Sequence, residues 1–451
     1  MHSFHYQNRK LHCEDIDLAR VAEEFGTPLY IYSVATVLDH YRRLDAALAP
    51  LDHLICYAVK ANSNRAILKL FADAGAGFDI VSGGELFRVL AAGGDPTKCT
   101  FAGVGKSREE IEYALEQRVY SFNVESAAEL EYIDKIAAAK NLRAPIALRV
   151  NPDVDPHTHE YISTGSREKK FGIALNHVAA VYQRAATMPN IDIVGVQMHI
   201  GSQITETQPF VDAIKKVALL LRELISKYRI KFFSIGGGVG IVYESSFVSG
   251  ASDWWKKNRE STRHQLSIQE YVDAILPALR DLNLRILLEP GRLLVGNAGV
   301  LLTRVRYIKQ TGQKKFAIVD AGMNDLIRPA LYHSFHEIVP VEEPGGTGSV
   351  PSRKQKDDTE VVPPSRAEKI DIVGPVCESS DFFALDREMP EVNEGDLLAI
   401  MSAGAYGFAM ASNYNSRPLP AEALVSGDKF ALIRKRQTPE DLVRGECDPK
   451  F

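Results

Sequence analysis

Between residues 54 and 288, short apolar runs rich in β-branched residues alternate with longer stretches of helical periodicity. The short runs fall at 54–59, 77–81, 99–102, 119–123, 146–150, 193–198, 232–235 and 284–288. Their length and composition predict buried strands, and the patterns at 65–74, 84–92, 108–116, 127–139, 210–228 and 268–282 predict helices. Eight strands alternating with helices over roughly 250 residues predict a (β/α)8 barrel of TIM type. A doubly wound open sheet would produce the same alternation and stands as the competing architecture.

After residue 292 the rhythm changes. Runs at 300–308, 315–319, 370–373, 397–401 and 429–433 read as strands without intervening helices, which predicts a separate all-β domain. An early strand at 28–32, before a helix at 35–47, is expected to join it. The expected organisation is an N-terminal segment (1–36) belonging to the β domain, a barrel (37–292) and a C-terminal β domain (293–451). Residues 342–369, rich in Pro, Gly, Ser and charge, read as a flexible surface excursion, and 245–264 as a second polar insertion.

Composition narrows the function classes. A chain of 451 residues with 45% hydrophobic and 25% charged residues can bury a large core. Its net charge of −5 supplies no basic stripe for nucleic acid and no polybasic membrane anchor. Residues 1–18 lack the apolar centre of a signal peptide, and no apolar run approaches the length of a membrane span. Five scattered cysteines (13, 56, 99, 377, 447) without a CxxC pair suit reduced thiols rather than a disulfide frame or zinc knuckle. The expectation is a soluble cytoplasmic protein.

In a (β/α)8 barrel, chemistry gathers at the C-terminal ends of the strands. Those ends here carry Lys60, Asp79 with Ser82, Gly103, Asn123, Arg149, His199, Gly236–Gly238 and Glu289. A lysine at the mouth of a buried strand is partly desolvated, which favours the free amine and Schiff-base chemistry. The plain alternative is a strand-end lysine pointing into water. The glycine triplet follows the seventh strand, where barrels often bind phosphate through bare N–H groups, although such triplets also make ordinary tight turns. Glu289 could bind a protonated heterocyclic nitrogen or pair with an arginine. His199 could be a base, a metal ligand or a ring-stacking platform. Together, the lysine, cradle, histidine and carboxylate are the parts a protein supplies to pyridoxal 5′-phosphate (PLP).

Ten segments carry a resemblance to one family: YAVKAN (57–62), FDIVSGGEL (78–86), RVNPDVDPHTHEYISTG (149–165), KFG (170–172), HIGSQ (199–203), GGG (236–238), EPGR (289–292), DAGMNDLIRPALY (320–332), GPVCESSD (374–381) and AGAYG (403–407). In order and spread they resemble the diaminopimelate decarboxylases, barrel-type PLP enzymes related to ornithine and arginine decarboxylases. The resemblance implies an alanine racemase-like fold and decarboxylation of meso-2,6-diaminopimelate to L-lysine, the last step of lysine biosynthesis. It implies that Lys60 holds PLP as a Schiff base, His199 stacks on the ring, and Gly236, Gly237, Gly238, Ser202 and Tyr406 hold the phosphate. Glu289 would face the pyridine nitrogen, with Gly291 and Arg292 completing the cofactor site, and Cys377 would be the proton donor. Arg292, Arg328 and Tyr332, with Tyr406, would take the substrate's distal carboxylate, and Glu378 its distal ammonium. Ornithine-specific relatives typically place Asp where this chain has Glu378. The resemblance further implies a homodimer with shared active sites, an amino-acid substrate, and no nucleic-acid, membrane or metal partner.

Other readings stay open at this level. One is another PLP barrel decarboxylase, acting on arginine, ornithine or carboxynorspermidine; racemisation is disfavoured because a racemase typically has arginine where Glu289 stands. A non-catalytic regulatory relative is opposed by intact Lys60, Glu289 and Cys377. A metal-dependent barrel hydrolase would use His157 and His159, but their HxH follows the fifth strand rather than the first.

Overall fold

All eight strand-like runs form strands, and they close on themselves. A computed structural model of the chain describes residues 2–155, 170–247, 266–343 and 367–451. The barrel strands are His53–Ala58, Gly77–Ile80, Cys99–Phe101, Ser121–Val124, Ala144–Asn151, Ile191–Met198, Phe232–Ser234 and Arg285–Leu288. Each pairs in parallel with its sequence neighbours, and the eighth returns to the first with Ile286 opposite His53. This is the closed (β/α)8 barrel rather than the open sheet. Most of the polar insertions at 245–264 and 342–369, and both His157 and His159, lie outside the described residues.

The strands are buried on both faces, as parallel strands under a helical coat must be. Inside, Leu54, Cys56, Ala147, Val194, Phe232 and Leu287 form a packed plug. Gly195 makes room for it: a Cβ there would stand 2.3 Å from the Phe232 ring. Four helices begin with one signature, Ser-x-x-Glu. Ser82, Ser107, Ser126 and Ser267 accept hydrogen bonds from the N–H groups of Glu85, Glu110, Glu129 and Glu270. Such a cap stabilises a helix by about 1 kcal/mol. Its structural effect is to fix where each βα loop ends, and so the rim that the strand ends present.

The chain divides into two compact units. One runs from Thr36 to Val242 and through the barrel's last strand to Gly296; the other holds the first 35 residues, a segment starting at Tyr243, and everything from Asn297. The second unit is built on a sheet in the order Phe382–Pro390, Ala367–Val373, Lys314–Val319, Gly299–Thr311, Leu29–Ser33, Ala421–Ser426 and Lys429–Arg434. Leu29–Ser33 lies antiparallel to Gly299–Thr311 and parallel to Ala421–Ser426. Leu397–Ile400 also pairs with Gly299–Thr311 and carries Ile338–Pro340 on its other edge. The core of this unit packs Leu29, Ile31, Val300, Leu302, Ala399 and Ala423 with the N-terminal hairpin. No described helix is long and apolar enough to cross a membrane.

Candidate active site

Lys60 lies in a 3-10 turn, Val59–Ala61, immediately past the first barrel strand. Its Nζ donates to Oδ2 of Asp79, on the second strand, at 2.7 Å. The Asp79 side chain is 1% exposed and that of Lys60 41%, so the amine is anchored yet reachable. Oδ1 of Asp79 is buried and has no hydrogen-bond partner among the described residues; Oε1 of Gln197 is in the same position.

Glu289 follows the eighth strand and is buried. It accepts from Ser234 Oγ at 2.7 Å, Gln197 Nε2 at 2.9 Å and Asn123 Nδ2 at 3.4 Å. These donors come from the seventh, sixth and fourth strands, so the barrel itself aims the carboxylate. Burial raises the pKa of Glu289, and the negative charge of Asp79 adds to it; Ser234, Lys60 and Gln197 oppose the shift. The carboxyl therefore holds a proton more readily than a solvated glutamate.

His199 follows the sixth strand. Its Nδ1 accepts the N–H of Gly237 at 3.3 Å and so carries no proton. Burial, then the charges of Arg149 and Lys60, push its pKa well below the usual value, so the ring is neutral. A neutral imidazole stacks on another ring without adding charge.

The glycine triplet is a close-packed cradle. Gly236 and Gly238 have φ of +73° and +105°, a region L side chains avoid. A Cβ at Gly237 would lie 2.2 Å from the carbonyl oxygen of Glu289, and one at Gly238 2.3 Å from that of Gly201. Arg292 donates through Nη2 to Ser202 Oγ at 3.1 Å. Gly291 packs on the Lys60 turn, where its Cβ would stand 2.9 Å from that of Ala61. Cradle, carboxylate, imidazole and lysine thus converge on one rim, and a phosphorylated pyridine aldehyde fits this set. Gly237→Ala should weaken retention of such a cofactor at least tenfold, read by its release on dialysis, and cost about 1–3 kcal/mol of stability.

The other unit holds the remaining expected residues. Arg328 opens the short helix Arg328–Tyr332 and is 5% exposed, unlike the solvated arginine its polar surroundings in sequence suggest. Its guanidinium lies over the rings of Tyr243 and Tyr332, at 5.1 and 5.9 Å. Cys377 is exposed, with its N–H bonded to Asn415 Oδ1 at 3.0 Å. Both oxygens of Glu378 accept hydroxyls, Tyr414 at 2.9 Å and Ser380 at 3.0 Å. Tyr406 has φ +56°. The loop carrying Cys377 is pinned by Asp381, whose carboxylate accepts the N–H groups of Val376 and Met323, each at 2.6 Å.

Several residues here had no role in the sequence reading: Gln197, Ser234, Asn123 and Asp79 around the cofactor set, and Tyr414 and Ser380 around Glu378. The first four share a signal. Each is a buried polar residue near the end of a strand whose neighbours are mostly apolar.

A closed parallel barrel with a lysine, a phosphate-type cradle and a buried carboxylate on one rim defines a class, and sequence similarity agrees. The family model for the pyridoxal-binding domain of pyridoxal-dependent decarboxylases matches residues 34–296. The chain belongs to this class, and its cofactor is pyridoxal 5′-phosphate. Within the class it belongs to the diaminopimelate decarboxylase family. It is 47% identical to the diaminopimelate decarboxylase of Pseudomonas aeruginosa over 99% of both chains, and 46% identical to that of Haemophilus influenzae over 98% of both. Among solved structures it resembles diaminopimelate decarboxylase from Helicobacter pylori complexed with L-lysine. The TM-score is 0.83 and the identity 39%, over 95% of this chain and 98% of that one.

Proposed function

We propose that this enzyme converts meso-2,6-diaminopimelate to L-lysine and CO2 in the cytoplasm, as the closing step of lysine formation. The observation that carries the substrate is Arg328, a buried guanidinium close to two tyrosine rings, in a family named for a dicarboxylic diamino acid. A solved relative that holds L-lysine supports the same product.

The chemistry supplied by bound pyridoxal 5′-phosphate is an electron sink for the pair left behind by departing CO2. The chain's residues make that sink effective. Lys60 would be the amine that holds the cofactor, and Asp79, 2.7 Å away, would balance the charge of its protonated form. Glu289 would face the pyridine nitrogen and favour its protonated form, which strengthens the electron sink. His199 would stack on the ring. The bare N–H groups of Gly236–Gly238, with Ser202, Gly291, Arg292 and Tyr406, would hold the phosphate. Cys377, a free and exposed thiol, would be the proton donor of the reaction. Arg292, Arg328 and Tyr332, with Tyr406, grip the distal carboxylate, for which a guanidinium fork is suited. Glu378 takes the distal ammonium. With the D-configured centre reacting, the retained L-centre leaves as L-lysine. Two subunits form a two-fold dimer that shares its sites, Lys60 coming from one subunit and Cys377 and Glu378 from the other.

Arg328→Ala tests the substrate. Truncating a buried charge-assisted contact costs about 2–5 kcal/mol. The variant should lose a corresponding share of kcat/KM for diaminopimelate while keeping its cofactor, measured by CO2 release and visible absorbance. Unchanged turnover would refute the assignment.

A further inference from the structure

The setting of Arg328 contains a device that no role above explains. Helix Arg328–Tyr332 ends at His333 in the left-handed region, φ +50°. The chain doubles back there and returns Ser334 and His336 onto the Arg328 side chain. Arg328 Nη2 donates to Ser334 Oγ at 3.2 Å, and its Nε lies 3.4 Å from His336 Nε2.

The tautomer of His336 follows from its second nitrogen. Nδ1 is 2.8 Å from the carbonyl oxygen of Met401. A carbonyl only accepts, so Nδ1 carries the proton and donates it. Nε2 then bears a lone pair, which faces the N–H of Arg328 Nε. His336 is 0% exposed, so Met401 has no competitor in bulk water for that proton.

Tyr243 completes the arrangement. Its ring meets the His336 ring edge-on, at 5.2 Å and 77°, while the guanidinium of Arg328 lies 5.1 Å from the same ring. One aromatic ring thus contacts both the arginine and the histidine that orients it. The segment bearing Tyr243 is held in turn, since Ser246 Oγ and the Phe247 N–H donate to Glu337 Oε2 at 3.0 and 2.6 Å. Glu337 is the neighbour of His336, so the brace and the histidine share one anchor.

We propose that His336 is a positioning residue for Arg328, with Tyr243 as its brace, and that together they set how strongly the site prefers amino acids with a distal carboxylate. This rests on the reading of Arg328 as the carboxylate's partner. A long arginine left to its own rotamers must be ordered by each substrate. Here two of the fork's nitrogens are fixed before the substrate arrives, which sets the plane in which a carboxylate is met.

The histidine's two bonds can be separated by substitution. His336→Asn keeps a donor for Met401 and loses the acceptor facing Arg328; His336→Gln places an amide oxygen near the position of Nε2. His336→Asn should raise KM for diaminopimelate about tenfold, equivalent to about 1.4 kcal/mol, with kcat within about twofold. The inhibition constant of L-lysine, which retains a carboxylate, should rise by the same factor. That of 1,5-diaminopentane, which has none, should not move, and bound PLP should stay at the wild-type level. His336→Gln should recover most of the loss.

An unchanged KM in His336→Asn overturns the proposal, as does an equal loss for 1,5-diaminopentane, which would mark a general disturbance of the site. If His336→Asn fails to fold, Tyr243→Leu is read in the same way. It should weaken diaminopimelate and L-lysine about fivefold and leave 1,5-diaminopentane alone, and no change overturns the idea. Arg328→Ala separates the two levels. If it too leaves KM unchanged, the substrate reading has failed; if it raises KM and neither His336→Asn nor Tyr243→Leu does, only the positioning role has.

Discussion

Lys60→Ala should lose its visible cofactor absorbance and reduce kcat by about 10⁴-fold or more, the scale of removing an activated nucleophile. In wild-type protein, borohydride should bleach that absorbance and fix the pyridoxyl group on the peptide containing Lys60. The site makes the expectation specific. Lys60 is held 2.7 Å from Asp79 at the mouth of the first strand, on the rim where Glu289 and the glycine cradle are placed. Lys106, a buried lysine farther along the chain, is committed to Glu129 at 2.6 Å and to the carbonyls of Gly103 and Asn123. A label on any lysine other than Lys60, or none, would remove the basis for the catalytic scheme.

Much of this was legible in the chain. The barrel strands announce themselves because a parallel strand under helices is apolar on both faces, so a continuous short run survives in the sequence. The β unit hides more. Ala421–Ser426 has a helix former's composition yet lies between two strands, with its fully buried Glu422 bonded to Tyr32 and Arg434. Phe382–Pro390 carries Asp386, Arg387 and Glu388 in succession, and Asp386 has φ +46°. A bulge of that kind breaks the two-residue alternation by which a strand is recognised. Both strands belong to the described sheet, and neither was expected.

The site shows the same division. Lys60, His199, Glu289 and the triplet stand at strand ends, where position alone raises the expectation of chemistry. The partners of Glu289 also lie at or near strand ends, but their role is hidden: Gln197, Ser234 and Asn123 matter because three separate strands bring them to one carboxylate, and closure of the barrel does that. His336 and Tyr243 are farther from view. They lie 93 residues apart in sequence (336 minus 243), and only the fold of the β unit sets the two rings edge to face.

Assembly gives the second large effect. Lys60→Ala and Cys377→Ala should each be nearly inactive alone, and an equal mixture, unfolded and refolded together, should recover about a quarter of wild-type activity. If pairing in the proposed two-fold dimer is random, half the dimers are mixed. In a mixed dimer with shared sites, one site combines both lesions and the other is wholly intact, so half of its two sites function. Half of one half is the quarter expected. The opposite arrangement gives a different number: if Cys377 serves its own chain, each site of a mixed dimer carries one lesion and activity stays at the level of the parents. Cys377 is exposed and lies on a loop pinned by Asp381, in the unit that does not contain Lys60. It is thus held on the surface and not packed in the core, as a residue offered to a second subunit must be. Mass spectrometry of the refolded mixture, with one variant isotopically labelled, would verify that subunits exchanged. Mixed dimers as inactive as either parent would refute shared sites.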